Sequence, residues 1–266
     1  MSVPHQPVWK QAMSFVPSTE VTGFRNELLR ALPADDLDRL RPHLRPVTLV
    51  LSQILHEAEA PIDEVYFIEA GLASLTADTS DNGLVEVGMT GRDGLVGVAV
   101  LLSPEPASIH RAFIQMPGRA FRVRATVFRE LVEASPALRD RCLRYVQVLL
   151  VQNSQVAACN ARHGLPERLA RWMLMSWDRA DSDELPMTQE FLSYMLGVRR
   201  AGVSTVANTL QSQGLIRQAR GRITLLDRAG LEARACTCYR LIERSRARIM
   251  GGPDHPAAAS PQYQPL

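Results

Sequence analysis

The apolar positions of the chain fall into successive patterns, each with its own period. From Phe24 to Leu44, Leu28, Leu29, Leu32, Leu37, Leu40 and Leu44 recur at helical spacing, interrupted by Pro33 and Pro42, which predicts short amphipathic helices. From Val47 to Ala125 the period shortens. Short Val, Ile, Leu and Phe runs are divided by turn signals at Pro61-Ile-Asp63, Gly71, Asp81-Asn-Gly83, Gly91-Arg-Asp-Gly94, Pro104-Glu-Pro106 and Pro117-Gly118. That spacing predicts an antiparallel β-roll, and Phe121-Arg-Val-Arg-Ala125 alternates as a half-buried strand should. Ser135-Pro136 then supplies a cap and a proline at the first helical position. Helical periodicity runs from there to His163, where Gly164 and Pro166 stop it.

This long helix has two apolar seams. Leu138, Cys142, Tyr145, Leu149, Gln152, Val156 and Cys159 form one, and Leu143, Val146, Leu150, Asn153 and Ala157 the other. A helix about 42 Å long with two such seams has two partners: the roll, and the same helix of a second chain. We assign Leu138, Cys142, Tyr145, Leu149 and Val156 to the dimer contact.

The segment Thr188 to Ile216 carries the most specific pattern. Thr188 caps a first helix with Glu190 in its early turn and Leu192, Met195 and Leu196 as its apolar stripe. Gly197 supplies the positive φ of a tight turn, and Val198 fills the angle between two helices. A second helix from near Arg199 buries Val203, Val206 and Leu210 and ends at Gly214. This is helix-turn-helix spacing, in which the second helix offers its N-terminal residues to base edges in the major groove. Beyond it, Leu215-Ile216 and Ile223 to Leu226 flank Arg217-Gln-Ala-Arg-Gly-Arg222, a basic hairpin placed to act as a wing on phosphates.

Side-chain chemistry assigns roles. Arg200 has the planar fork for bidentate bonds to guanine, Thr205 lies one turn further to meet a base or a thymine methyl, and Gly202 permits close approach. Thr188, Gln189, Arg199, Ser204, Arg217, Arg220 and Arg222 are the phosphate contacts, which hold register without reading sequence.

Composition agrees with a globular chain: 46% apolar and 22% charged residues in 266. The longest apolar run, Leu95 to Leu102, is interrupted by Gly97 and falls short of a membrane span. Neither a secretory signal nor a membrane partner is expected. Four cysteines do not make a disulfide scaffold, which points to a reducing cytoplasm. The overall charge of +2 conceals an asymmetry. Up to Cys159 there are 15 basic and 18 acidic residues; from Asn160 to Met250 there are 15 and 9. The second half is thus the half suited to a polyanion. A solvated basic face and an Arg-rich composition (Lys10 is the single lysine) fit the same numbers.

Taken in order, these parts resemble the Crp/Fnr superfamily of bacterial transcription regulators. The similarity rests on Val65-Tyr-Phe-Ile-Glu-Ala-Gly71, Gly91-Arg-Asp-Gly-Leu-Val-Gly97, Arg168-Leu-Ala-Arg-Trp172 and Leu196-Gly-Val-Arg-Arg200. The resemblance covers about Phe24 to Tyr239 and implies an α+β fold, with a jelly-roll-like sensor domain over 23–134, a dimerisation helix over 135–164 and a winged helix-turn-helix domain over 165–240. It also implies a homodimer on a palindromic site in double-stranded DNA, contact with RNA polymerase, and a small-molecule effector of unknown identity in the roll. The small residues and prolines at the two ends predict a flexible N-terminus over 1–22 and a largely disordered tail over 241–266.

The effector pocket departs from the family's cyclic-nucleotide binders. Those use a Gly-Glu turn on the ribose and an Arg followed by a small polar residue on the cyclic phosphate. Here the turn reads Val96-Gly97-Val98, with Val98 in the carboxylate's place, and the strand reads Ile109-His110-Arg111-Ala112-Phe113, with His110 in the arginine's place unless the register slips by one. Gly97, Val98, His110 and Arg111 mark a degenerate pocket, and cyclic AMP is not its expected ligand. The oxygen sensors' N-terminal cysteine cluster is missing as well, since all four cysteines lie after residue 140.

Cys159 and His163 stand four apart at the end of the long helix, and Cys236 and Cys238 follow the wing. Their identities suit a thiophilic metal such as zinc. They equally suit a histidine at a helix C-terminus among small buried cysteines, or a thiol redox pair, and no cofactor is assigned. The two histidines of the β-region, His56 and His110, do not form the His-x-His pair of roll-shaped metalloenzymes, so no catalysis is expected. A ligand-binding adaptor that never meets DNA is the alternative function.

Overall fold

The computed structural model describes residues 23–79 and 83–251. The N-terminus expected over 1–22, the turn residues Asp81-Asn82 and the tail beyond Gly251 lie outside the described residues.

Two short helices, α1 (Glu27–Arg30) and α2 (Ala34–Leu40), lead into an antiparallel sheet of β1 (Arg45–Leu49), β2 (Ile54–His56), β3 (Glu64–Asp78), β4 (Leu84–Thr90), β5 (Leu95–Val96) and β6 (Arg111–Arg124). Its order is β1-β6-β3-β4, with β2 on β6 and β5 on β3. Asn26 fastens α1 to this sheet. Its side-chain oxygen accepts from the backbone N–H groups of Leu28 and Leu29, while its amide donates to Ile68 and Gly94 carbonyls.

Gly71 and Pro117-Gly118, which read as turns in the sequence, lie inside β3 and β6. The pairing of these two strands shifts register between Ile68 and Ala73. Gly71 has φ 90°, and a Cβ there would stand 2.6 Å from the Met116 carbonyl oxygen; a Cβ at Gly118 would overlap Ala70. Glycine here lets two backbones touch at a bulge that bends the long strands into a roll.

Ala125, expected to end a strand, instead begins α3 (Ala125–Ala134). The long helix follows as α4 (Pro136–Arg162), capped by the Ser135 hydroxyl, which accepts from Leu138 N. Then come α5 (Leu165–Arg179), β7 (Glu184–Leu185), α6 (Gln189–Leu196), α7 (Arg200–Ser212), β8 (Ile216–Ala219), β9 (Arg222–Leu225), α8 (Arg228–Arg234) and α9 (Thr237–Met250). No helix among the described residues is long and apolar enough to cross a membrane.

Two further expectations are corrected. Residues 241–250, assigned to a disordered tail, belong to α9. Arg141 and Arg144 donate to the carbonyls of Met250 and Ile249, and Gln155 bonds Cys238, so α9 runs antiparallel along α4. Its buried residues Cys238, Tyr239, Ile242 and Ile249 are a thin stripe that the arginine-rich background obscures in the sequence. The dimer seam is the second correction. Leu138, Cys142 and Tyr145 are buried in the core shared with the roll, with Leu149 packed against it; Val156 packs against the core of the C-terminal domain. All five therefore face their own chain. The other seam is open: Leu143 and Leu150 are 43% and 63% exposed. Both seams have the right spacing, and only the position of the roll and α9 decides which is covered.

Candidate nucleic-acid interface

The helix-turn-helix is built by local chemistry. The Thr188 hydroxyl accepts from Phe191 N at 3.1 Å and caps α6. Gly197 adopts φ 61° and ends that helix. Arg168 of α5 closes it from outside, donating Nη2 to the Leu196 carbonyl at 2.6 Å and Nε to Asn160 of α4 at 3.0 Å. α7 then buries Val203, Ala207 and Leu210, with Val206 only partly covered.

The outer face of α7 presents Arg200, Thr205, Asn208 and Thr209. Arg199 and Arg200 are exposed at its start, and Thr205 Oγ1 donates to the Ala201 carbonyl. Ser204 is half-buried beside them. Gly202 is a correction: a Cβ there would stand 3.1 Å from Leu165 Cδ2, so the residue faces α5. Its lack of a side chain serves helix packing and offers no approach to a base.

β8 and β9 form the hairpin, with Arg220 (φ 42°) and Gly221 (φ 79°) at its tip. Ala219 pairs with Arg222 and Arg217 with Thr224, so period-two alternation puts Arg217 and Arg222 on one face. Arg222 is tied to Glu184 of β7 at 3.2 Å. Among the described residues, the ion pairs include none to Arg199, Arg200, Arg217 or Arg220, all of them exposed. Gln189, expected on a phosphate, instead donates to Gln218 Oε1 at 2.7 Å, and Gln218 donates to Asn208 Oδ1 at 3.2 Å. This amide chain locks wing, first helix and recognition helix together. Asn208 went unrecognised in the sequence, although it lies three residues beyond Thr205 on the same helical face.

Behind this face the domain is fixed to the roll by buried polar groups. Asp93 and Arg179 pair at 2.7 Å, and Arg179 also bonds Gln152 of α4 at 3.0 Å. Burial is the largest influence and works against both charges, but the combined pull of Arg179, Arg246 and the Gly91 N–H holds the Asp93 carboxyl low, and that of Asp93, Glu243 and Asp178 holds the Arg179 guanidinium high. Glu86 of β4 accepts from Ser74 Oγ at 2.6 Å and from Trp172 Nε1 of α5 at 2.7 Å. Burial pushes its carboxyl up to about 7 despite those bonds. A Cβ at Gly197 would stand 3.1 Å from Val85 Cγ2, which places the turn between α6 and α7 beside β4.

The residues marked as an effector pocket are held as follows. Gly97 takes φ 102° beside Glu64 and Val65, and Val98 begins a 3-10 turn. Arg111 opens β6 with its guanidinium on Glu57 at 2.6 Å, and His110 precedes it. An open groove of about 690 Å³ in the roll is lined by His56, Glu57, Asp63, Glu64, Tyr66 and Arg124, among others, and by none of those four.

The molecule is a β-roll joined through a long helix to a winged helix-turn-helix that carries an exposed basic face. Comparison with known proteins agrees. Residues 167–234 match the Crp-like helix-turn-helix domain. A putative Crp/Fnr-family transcriptional regulator from Eubacterium rectale is similar in fold at TM-score 0.60 and 15% identity, covering 80% of this chain and 97% of its own. FixK2 from Bradyrhizobium japonicum is similar at TM-score 0.62 and 16% identity, covering 73% and 98%. A CRP-family regulator from Thermus thermophilus reaches TM-score 0.59 at 19% identity, covering 72% and 96%. No curated protein matches by sequence alone. Residues 167–234 are thus a Crp-like helix-turn-helix domain, and the chain has the fold of the Crp/Fnr-family regulators it is similar to.

Proposed function

We propose that two copies of the chain join along the open seam of α4 and read a palindromic DNA site with their paired α7 helices. The observation that carries this reading is the set of four exposed arginines around α7 and the wing that form no ion pair among the described residues. Arg200 reads a base edge, with Thr205 and Asn208 further along the same face; Arg199, Ser204, Arg217 and Arg220 hold phosphates. Thr188, Gln189 and Arg222 position this surface through the cap, the amide chain and the Glu184 pair. Exposed Leu143 and Leu150, with Val146 and Ala157, supply the dimer contact. The fold and the domain match are those of regulators, and no catalytic step is assigned to the chain.

The roll senses a signal other than cyclic AMP in this reading. Arg111 is committed to Glu57, Val98 stands where a ribose-binding carboxylate would be, and the open groove of the roll is lined by none of the residues that mark the cyclic-nucleotide position. RNA polymerase contact follows from the superfamily alone and names no residue here.

Selection from random DNA with the purified chain tests the reading. The expected yield is a two-fold symmetric motif whose half-sites lie about one helical turn, ~34 Å, apart, with binding that falls steeply as salt rises. An asymmetric motif, or none at low salt, overturns it. Leu150→Asp places a charge on the open seam, and sedimentation should then show monomers that lose the palindromic preference.

A further inference from the structure

One cluster plays no part in the DNA-binding reading. The last turns of α4 and the start of α9 bring Cys159, His163, Cys236 and Cys238 together, with one ligand atom from each lying within 4.8 Å of all the others. Cys159 Sγ stands 3.4 Å from Cys236 Sγ, and Cys238 Sγ stands 3.5 Å from His163 Nδ1. A tetrahedral zinc with Zn–S near 2.3 Å and Zn–N near 2.0 Å has ligand–ligand edges of roughly 3.5–3.8 Å. The four donors therefore already stand near the spacing that one ion requires. The three cysteines are buried, while His163 is partly exposed and gives an ion its way in.

A second observation concerns charge. Arg171 of α5 is 2% exposed, yet none of the ion pairs among the described residues involves it. Its Nε donates to Cys159 Sγ at 3.3 Å and its Nη1 to Met175 Sδ at 3.4 Å. Glu86, the carboxylate whose charge it feels, is bonded to Ser74 and Trp172 instead. The buried guanidinium thus makes no direct ion pair and turns two of its N–H groups on sulfur. Three thiolates on a divalent ion carry a net charge of −1, which Arg171 balances. Gln155 Nε2 also donates to Cys238 Sγ, at 3.1 Å. N–H donors aimed at the sulfurs are what a thiolate–metal centre recruits around itself.

We propose that Cys159, His163, Cys236 and Cys238 form a structural zinc site that staples the end of α4 to the start of α9. All four positions are filled by protein, so the ion has no open coordination site for catalysis. The chain enters the helix-turn-helix domain just after His163 and leaves it just before Cys236. One ion thus ties both ends of that domain to the long helix. Resting on the DNA-binding reading above, zinc occupancy sets how firmly the recognition helix is held, and its loss weakens specific DNA binding.

The full-length chain, purified under reducing conditions and cleared of metal, is titrated with cobalt(II) and then with zinc. The expected result is thiolate-to-cobalt charge transfer with the strong d–d bands of tetrahedral coordination, saturating at one equivalent and abolished by one equivalent of zinc. Cys238→Ser should lose one thiolate's share of the charge transfer; His163→Ala should keep the charge transfer and shift the d–d bands. Absence of cobalt–thiolate absorption in the unaltered chain overturns the site and needs no variant to fold. A Cys159–Cys236 disulfide found under the same reducing conditions overturns it too. Chelation should reduce affinity for the selected DNA by about 5- to 150-fold, the usual range of coupling between sites. Tight zinc with unchanged DNA affinity keeps the site and overturns its control of binding. Tight zinc in a chain that ignores all DNA overturns the DNA-binding reading and leaves the site standing.

Discussion

The arginines of the recognition face and those at the joint behind it are one residue type put to opposite uses. Arg199, Arg200, Arg217 and Arg220 stand in water with no carboxylate partner among the described residues, where the charge costs little to hold and is available to a polyanion. Arg171 and Arg179, on a neighbouring helix, are 2% and 3% exposed. Arg179 is answered by Asp93 of the roll and Gln152 of the long helix. Three parts of the molecule thus converge on one guanidinium. A charge in that position acts as a fastener between domains, and the same charge on the outer face acts as a ligand-binding group. What separates the two is whether the fold supplies a partner.

The comparison is broken most severely at Arg179. Arg179→Ala leaves Asp93 buried without its cation, and the expected loss is ~3–5 kcal/mol of stability by denaturant unfolding. A loss below 1 kcal/mol would mean that the joint is open to water. Glu86 comes next. Its folded pKa of about 7 lies above that of an ordinary carboxyl. Between about pH 4.5 and 7 the folded chain keeps a proton that the unfolded chain releases, so stability falls as pH rises through that window. The contribution is present in full below the window and lost above it, on the order of 3 kcal/mol in all. Glu86→Gln should flatten this part of the profile, and an unaltered profile would place the titration elsewhere.

The outer face yields smaller and more selective effects. Arg200→Ala should cost ~1–3 kcal/mol at one base-pair position and relax preference there, measured on matched and mismatched sites. Equal loss on both would move Arg200 to a phosphate role. Arg220→Ala should weaken every sequence alike and lower the salt slope by about 1. Neither substitution should shift the unfolding midpoint noticeably, in contrast to Arg179→Ala.

Much of the helix-turn-helix is legible from residue order, because caps and turns act within a few residues. Thr188, Gly197 and the Ser135-Pro136 start are found where their chemistry requires them. Gly202 shows where such reading fails. Glycine on a recognition helix suggests room for a ligand, and only the position of Leu165 shows that the room is taken by α5. Gly71 and Gly118 mislead in the same way, since a glycine in a bulge and a glycine in a turn have the same letter. α9 escapes because its stripe is narrow and set among arginines.

Local chemistry along the chain determined the long helix, the two helices of the helix-turn-helix and the wing that follows, where the recognition helix begins, and that the second half carries excess positive charge. Those properties depend on neighbours a few residues away, within reach of a cap, a turn or a helical period. The tertiary structure alone decided which seam of α4 is covered, which arginines meet carboxylates, and that Cys159 lies beside Cys236, 77 residues further on. Burial and partner choice are set by contacts distant in the chain, and no local period encodes them.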